Sequence, residues 1–201
     1  MQKIIVWEGL TNATEEHCSV NFLGEEIIVR SEIEGWSGQK AVYAEYVLHL
    51  NQSWEVFQAD IEFHVSDHQH SWHLKRDNDN NWSDASGKYY PELQGCRFID
   101  ISLTPFTNSL PVNGLNLKEG DNAGFDLVYF DILNNNIRKE RQKYTRMRGN
   151  IYRFENSDGS FTADITVDED GFVTHYPGLF KMLTTNNTKI YHANTGTGRN
   201  I

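Results

Sequence analysis

Cysteine is scarce. Cys18 and Cys96 are the two thiols in 201 residues, too few for a disulfide framework. No window approaches the ~18 consecutive apolar residues of a membrane-spanning helix. The opening MQKIIVWEGL holds one lysine and a short apolar patch that ends at Glu8, too brief for a secretory signal. A cytoplasmic chain with reduced thiols is the expectation. Bases are outnumbered, 18 Lys and Arg against 28 Asp and Glu, for a formal net charge of −10. That sign repels phosphate backbones and anionic bilayers, so no nucleic-acid partner is expected. G-x-S-x-G elbows, P-loops and dinucleotide glycine fingerprints are missing. Gly196-Thr-Gly198 lies in the tail with no strand before it or helix after it. No cofactor is expected. Helical stripes are missing too: in NNNIRKERQKYTRM, Ile137 is the one apolar residue before Tyr144, so that segment reads as a loop entering a strand. GLFKMLTT, 178–185, offers at most two turns of helix.

Aromatic residues are plentiful, 12% of the chain, and large rings fill a core with few positions. Period-two alternation dominates. Phe57, Ala59, Ile61, Phe63 and Val65 alternate with Gln58, Asp60, Glu62 and His64, which sets one face on a core and one in water. Phe161, Ala163, Ile165 and Val167 repeat the pattern, as do Val42, Ala44, Tyr46, Leu48 and Leu50. Asn156-Ser-Asp-Gly159 and Asp168-Glu-Asp-Gly171 are hairpin signals, so 144–176 reads as a three-stranded meander. The fold class expected is all-β: a single domain over residues 1–183, one strongly curved antiparallel sheet forming a spiral β-roll or incomplete barrel with little helix. Residues 184–201 read as a polar, loosely held tail. Alternation fits a filled roll as well as a hollow one.

Few residues carry obvious chemistry. His64, His68 and His70 would share a face on an unbroken strand and could bind a metal, but Ser66-Asp67 reads as a hairpin tip that scatters them, and no metal site is expected. Cys96 with Asp100 and His175 could be drawn as a triad, yet nothing local marks it, and each thiol reads as a small buried hydrophobe. From 138 to 148 six bases face one acid, Glu140. They form either an anion-binding rim, with Arg146 and Arg148 beside Tyr144, or a solvated strand face.

LTPFTNSLPVNGL, 103–115, threads five large apolar residues through two prolines and an Asn-Gly pair, a pattern suited to neither a regular helix nor a clean strand. With the preceding GCRFIDIS, with YTRMRGNIYRF and with FTADITVDEDGFVTHYPGLFKML, it resembles the bacterial family of "putative glycolipid-binding" proteins. Glu16-His17-Cys18 and the Trp82 hairpin fit the same pattern, and the likeness spans about residues 5–183. Cys96, Asp100, Pro105, Phe106, Thr107, Asn108, Pro111, Asp168, Tyr176, Pro177 and Gly178 match it. Asn113-Gly114 departs from it, standing where members often carry two basic residues. The resemblance implies a curved sheet around an apolar cavity and a glycolipid or other acyl-bearing partner. On that reading Asp100, Thr107, Asn108 and Tyr176, with Arg146 and Arg148, contact the polar head. Phe57, Ile61, Phe63, Phe106 and Leu110 form the apolar wall. The alternatives are an enzyme acting on such a molecule and a ligand-free module with a filled core. No oligomeric state is implied.

Overall fold

The computed structural model describes residues 1–188. The first seven strands run in sequence: β1 (Gln2–Gly9), β2 (Ala13–Leu23), β3 (Glu26–Ser37), β4 (Lys40–Asn51), β5 (Val56–Val65), β6 (His68–Arg76) and β7 (Trp82–Asp84). A 3-10 turn at Pro91–Leu93 leads to β8 (Phe98–Ile101). A second 3-10 turn, Phe106–Asn108, runs into helix α1 (Ser109–Gly114). The chain ends in β9 (Asn122–Asp131), β10 (Asn136–Arg146), β11 (Ile151–Asn156), β12 (Thr162–Val167), β13 (Val173–Tyr176) and β14 (Phe180–Thr188).

All fourteen strands form one sheet, ordered β7-β6-β5-β4-β3-β2-β1-β14-β13-β12-β11-β10-β9-β8. Neighbours are antiparallel except β8 and β9, which are parallel. The sheet curls because its two edge strands, β7 and β8, are joined by a short connection. Trp82 Nε1 donates to the Cys96 carbonyl across that connection, at 2.9 Å. The β8–β9 end then tucks inside the roll, where Phe130 of β9 meets Trp72 of β6 with ring centroids 5.5 Å apart. The result is the expected curved all-β sheet, open rather than closed.

The 103–115 segment is the core's central plug. Thr104 to Val112 are all buried. Pro111 is tolerated because it falls in the first turn of α1, where backbone N–H groups need no helical acceptor. Phe106 packs near Tyr46 and Phe172, at 6.4 and 6.3 Å between centroids.

Several expectations are corrected here. GLFKMLTT is strand, not helix: β14 pairs with β1 on one side and β13 on the other, and ladder bonds override a weak helical preference. That strand continues to Thr188, five residues beyond the expected domain end at 183; the rest of the expected tail lies outside the described residues. The 134–147 segment is mostly β10 rather than loop. Its alternation is hidden because the inward residues Arg138, Glu140 and Gln142 are polar, while its outward Arg141 and Lys143 pair across strands with Asp126 and Glu155. The 103–115 segment does form a short helix. Phe57 faces outward, beside His49. Register jumps from His49↔Gln58 to Leu50↔Val56, so a β-bulge at Phe57 reverses the alternation and gives the inward place to Val56. The two Gly-ended turns behave as read, Gly159 and Gly171 taking φ of +69° and +79°.

Candidate functional site

The centre of the roll is filled. Ile61, Phe63, Phe106 and Leu110 are 0% exposed and belong to one continuous core, so four of the five residues expected as a cavity wall are packing residues. The fifth, Phe57, is on the outer face.

A cleft of about 490 Å³ opens instead on the concave side of β8–β14. One wall is aromatic: Phe154, Phe161, Tyr176 and Phe180 pack as tilted rings, Tyr176 and Phe180 edge to face, with centroids 5.9–6.3 Å apart. Leu103, Leu133 and Leu179 extend it. The opposite side is polar, built from Asp100, Tyr129, Asp131, Arg138, Glu140 and Gln142. Strand pairing creates this side: Asp100 sits opposite Tyr129, and Arg138 opposite Tyr129 on the other flank. Leu103, at the entrance to the plug, has φ of +75°. A bulky residue in the left-handed region is strained, and the strain is held where the chain turns from β8 into the plug.

Asp100 is the centre of the polar side. The Thr107 hydroxyl donates to Oδ1 at 2.9 Å and Gln142 Nε2 donates to Oδ2 at 2.7 Å. Burial raises its pKa above the ordinary carboxylate value, those two donors oppose the rise, and nearby Glu140 adds to it. Burial, followed by the Asp100 charge, also pushes the Tyr129 and Tyr176 phenols well above their usual range. Both hydroxyls are therefore neutral donors at pH 7, and neither has a hydrogen-bond partner among the described residues. Gln142 is 2% exposed and its Oε1 has no donor either. Asn108 lines the cleft and donates through Nδ2 to the Tyr144 hydroxyl at 2.7 Å.

Of the polar residues singled out from sequence, the fold brings Asp100, Asn108 and Tyr176 to this one cleft. Thr107 is buried behind Asp100. Arg146 and Arg148 are elsewhere: Arg146 donates to the Leu117 carbonyl and lies over the Tyr152 ring, and Arg148 is exposed in the turn after β10. Sequence reading missed Tyr129, Arg138, Glu140 and Gln142. The +5 segment did contain three of them, but only the strand pairing shows that Arg138, Glu140 and Gln142 share the cleft face.

The remaining candidates are dispersed. His64 and His68 lie on opposite sides of the Ser66-Asp67 tip, and no group of three metal-ligating side chains occurs among the described residues. Burial raises the Cys96 thiol to about 11, while His175 is exposed, so no triad forms with Asp100. Asn113 and Gly114 fill space that basic side chains would need: a Cβ at 114 would lie 2.7 Å from the Phe98 ring and 2.8 Å from the Ser53 carbonyl oxygen. No helix among the described residues is long and apolar enough to cross a membrane.

A family model described as "Putative glycolipid-binding" matches residues 4–182. A crystal structure of a DUF1089 family protein from Pseudomonas aeruginosa, at 1.80 Å, is similar, with a TM-score of 0.73 and 29% identity over 83% of this chain and 91% of that one. No curated protein matches at a significant level.

Proposed function

Because the chain belongs to the family described as "Putative glycolipid-binding", we propose that it binds a sugar-bearing amphiphile in the β8–β14 cleft, without turning it over. The observation that carries this reading is the cleft's two-sided chemistry. Tyr129 and Tyr176 offer unpartnered hydroxyls in the cleft that Asp100 and Asn108 also line, and Tyr176 is itself packed into the Phe154–Phe161–Phe180 wall. Aromatic faces suit the apolar face of a sugar ring and the first methylenes of a tail, and each methylene buried contributes roughly 0.8 kcal/mol. The volume falls within the range of small-ligand pockets, roughly 300–1,000 Å³. The tail runs along this wall rather than through the centre of the roll, which the plug occupies. Binding without catalysis is supported by the two thiols, both kept protonated by burial. No cofactor, nucleic acid or cytoplasmic partner protein enters this reading.

Titration of the protein with octyl glucoside, followed by amide NMR, tests it. The expected result is saturable shifts at Asp100, Asn108, Tyr129 and Tyr176, together with a sugar-bearing lipid in native mass spectra of the freshly purified protein. Shifts confined to other surfaces, with no lipid retained, would sink it.

A further inference from the structure

We infer that the cleft selects a neutral or amine-bearing sugar head and rejects phosphorylated or carboxylated heads, an assignment that rests on the binding reading above. Its lining carries three carboxylates, Asp100, Asp131 and Glu140, and one cation, Arg138. That cation is already engaged. Arg138 Nε and Nη2 donate to Glu140 Oε1 at 2.9 and 2.6 Å, and Nη1 reaches Asp131 Oδ2 at 3.4 Å. Its guanidinium also stacks 4.4 Å from the Tyr129 ring centroid. An incoming anion would have to displace Glu140 to reach it and would also meet the Asp100 and Asp131 carboxylates.

Of the other bases of the strand, Arg141 pairs with Asp126 and Lys143 with Glu155 on the outer face, and Lys139 donates to the Gln94 carbonyl. Arg146 shares the register of Arg138 but does not line the cleft, and donates to the Leu117 carbonyl. Of the two readings of the basic segment, the solvated strand face describes Arg141 and Lys143, and the part of β10 that lines the cleft is Arg138, Glu140 and Gln142.

A second observation concerns the amide beside Asp100. Gln142, 2% exposed, uses its Nε2 on Asp100, and its Oε1 is left with no donor. A buried acceptor without a donor is uncommon in folded proteins. Together with the Asp100 carboxylate it adds acceptors to a cleft whose unpartnered donors are the Tyr129 and Tyr176 hydroxyls. Hydroxyl and ammonium groups supply donors, whereas ionised phosphates and carboxylates supply none.

The test compares three ligands with one tail: octyl glucoside, octyl 2-amino-2-deoxyglucoside and octyl glucuronide, titrated at pH 6.5 and low salt. Free glucosamine serves as a tail-less arm that separates sugar recognition from detergent-like adsorption. The amino and neutral glycosides should bind at least tenfold tighter than the glucuronide, and free glucosamine should shift the same amides more weakly. In Glu140→Gln, which frees Arg138, the gap between amine and acid should narrow at least threefold while the thermal transition stays cooperative. Equal or tighter binding of the glucuronide overturns the selectivity alone. An unchanged gap in folded Glu140→Gln does the same. Failure of all the glycosides to bind overturns the underlying binding reading as well.

Discussion

The Thr104 hydroxyl donates to Glu16 Oε1 across 2.8 Å, although 88 residues separate them. Ser31 and Tyr46 donate to the same oxygen at 2.7 and 2.6 Å, while Oε2 has no partner. Thr104 Oγ1 also accepts the Phe106 N–H at 2.9 Å. One buried carboxyl thus ties β2, β3 and β4 to the entrance of the plug. Glu16-His17-Cys18 and the 103–115 segment, both part of the family resemblance, meet here.

Burial raises the Glu16 carboxyl from 4.5 to about 7, against the pull of its three hydroxyl donors. Below pH 4.5 both folded and unfolded chains hold the proton, and the native state suffers no penalty. Between 4.5 and 7 the unfolded chain ionises first, so stability falls as pH rises, and above 7 this contribution is flat. Glu16→Gln mimics the protonated acid and removes the dependence. Urea unfolding at pH 4.5 and pH 8 should show a loss in the wild type that the variant lacks, up to about 3 kcal/mol. Parallel pH curves for the two proteins would refute the assignment.

The plug should behave as core. Leu110 is 0% exposed, and Leu110→Ala should cost roughly 2–5 kcal/mol by chemical denaturation. A cost under about 1 kcal/mol would mean that the helix is not integral to the interior.

Gly114 is fixed by space. A side chain there meets the Phe98 ring and the Ser53 carbonyl; Phe98 is buried in β8 and Ser53 is held in the β4–β5 turn. Gly114→Lys should lower stability by roughly 1–3 kcal/mol, read as a lower melting temperature. An unshifted transition would show that the contact yields freely.

Tyr176 separates binding from folding. Its hydroxyl has no partner among the described residues, so Tyr176→Phe should leave the melting temperature within a degree or so. It should weaken octyl glucoside binding by roughly three- to tenfold, the value of one hydrogen bond. Equal affinity in the two proteins would remove Tyr176 from the site.

Both thiols should resist modification. Cys18 and Cys96 are 1% and 0% exposed, and burial raises both. A thiol reagent such as DTNB should label neither in native protein over minutes, and both after denaturation. Rapid native labelling of Cys96 would revive it as a candidate nucleophile.

Much of the fold was legible because strands announce themselves locally. The 3.6- and 2-residue periods differ, so alternation such as Ala59-Ile61-Phe63 identifies a sheet face, and Asp-Gly turns set where one strand ends. The failures are equally specific. Phe57 was misplaced because a bulge is created by register with β4, which no neighbouring residue encodes. β10 was missed because its cleft-facing residues Arg138, Glu140 and Gln142 are polar, and Gln142 is buried there to serve Asp100. The plug was legible as an apolar, proline-stiffened segment, but not as a helix, since six residues give too little periodicity to read.

The chain's order of residues by itself determined a single curved antiparallel sheet, the turns between its strands and the two buried thiols, because those follow from local alternation and conformational cost. Tertiary structure alone decided where this cleft lies. The sheet rolls around residues 104–112, which fills the centre, and leaves the cleft where β8, β9 and β10 bring Asp100, Tyr129, Arg138 and Gln142 to one face. Such placement depends on strand pairings between residues far apart in sequence, and no local pattern records them.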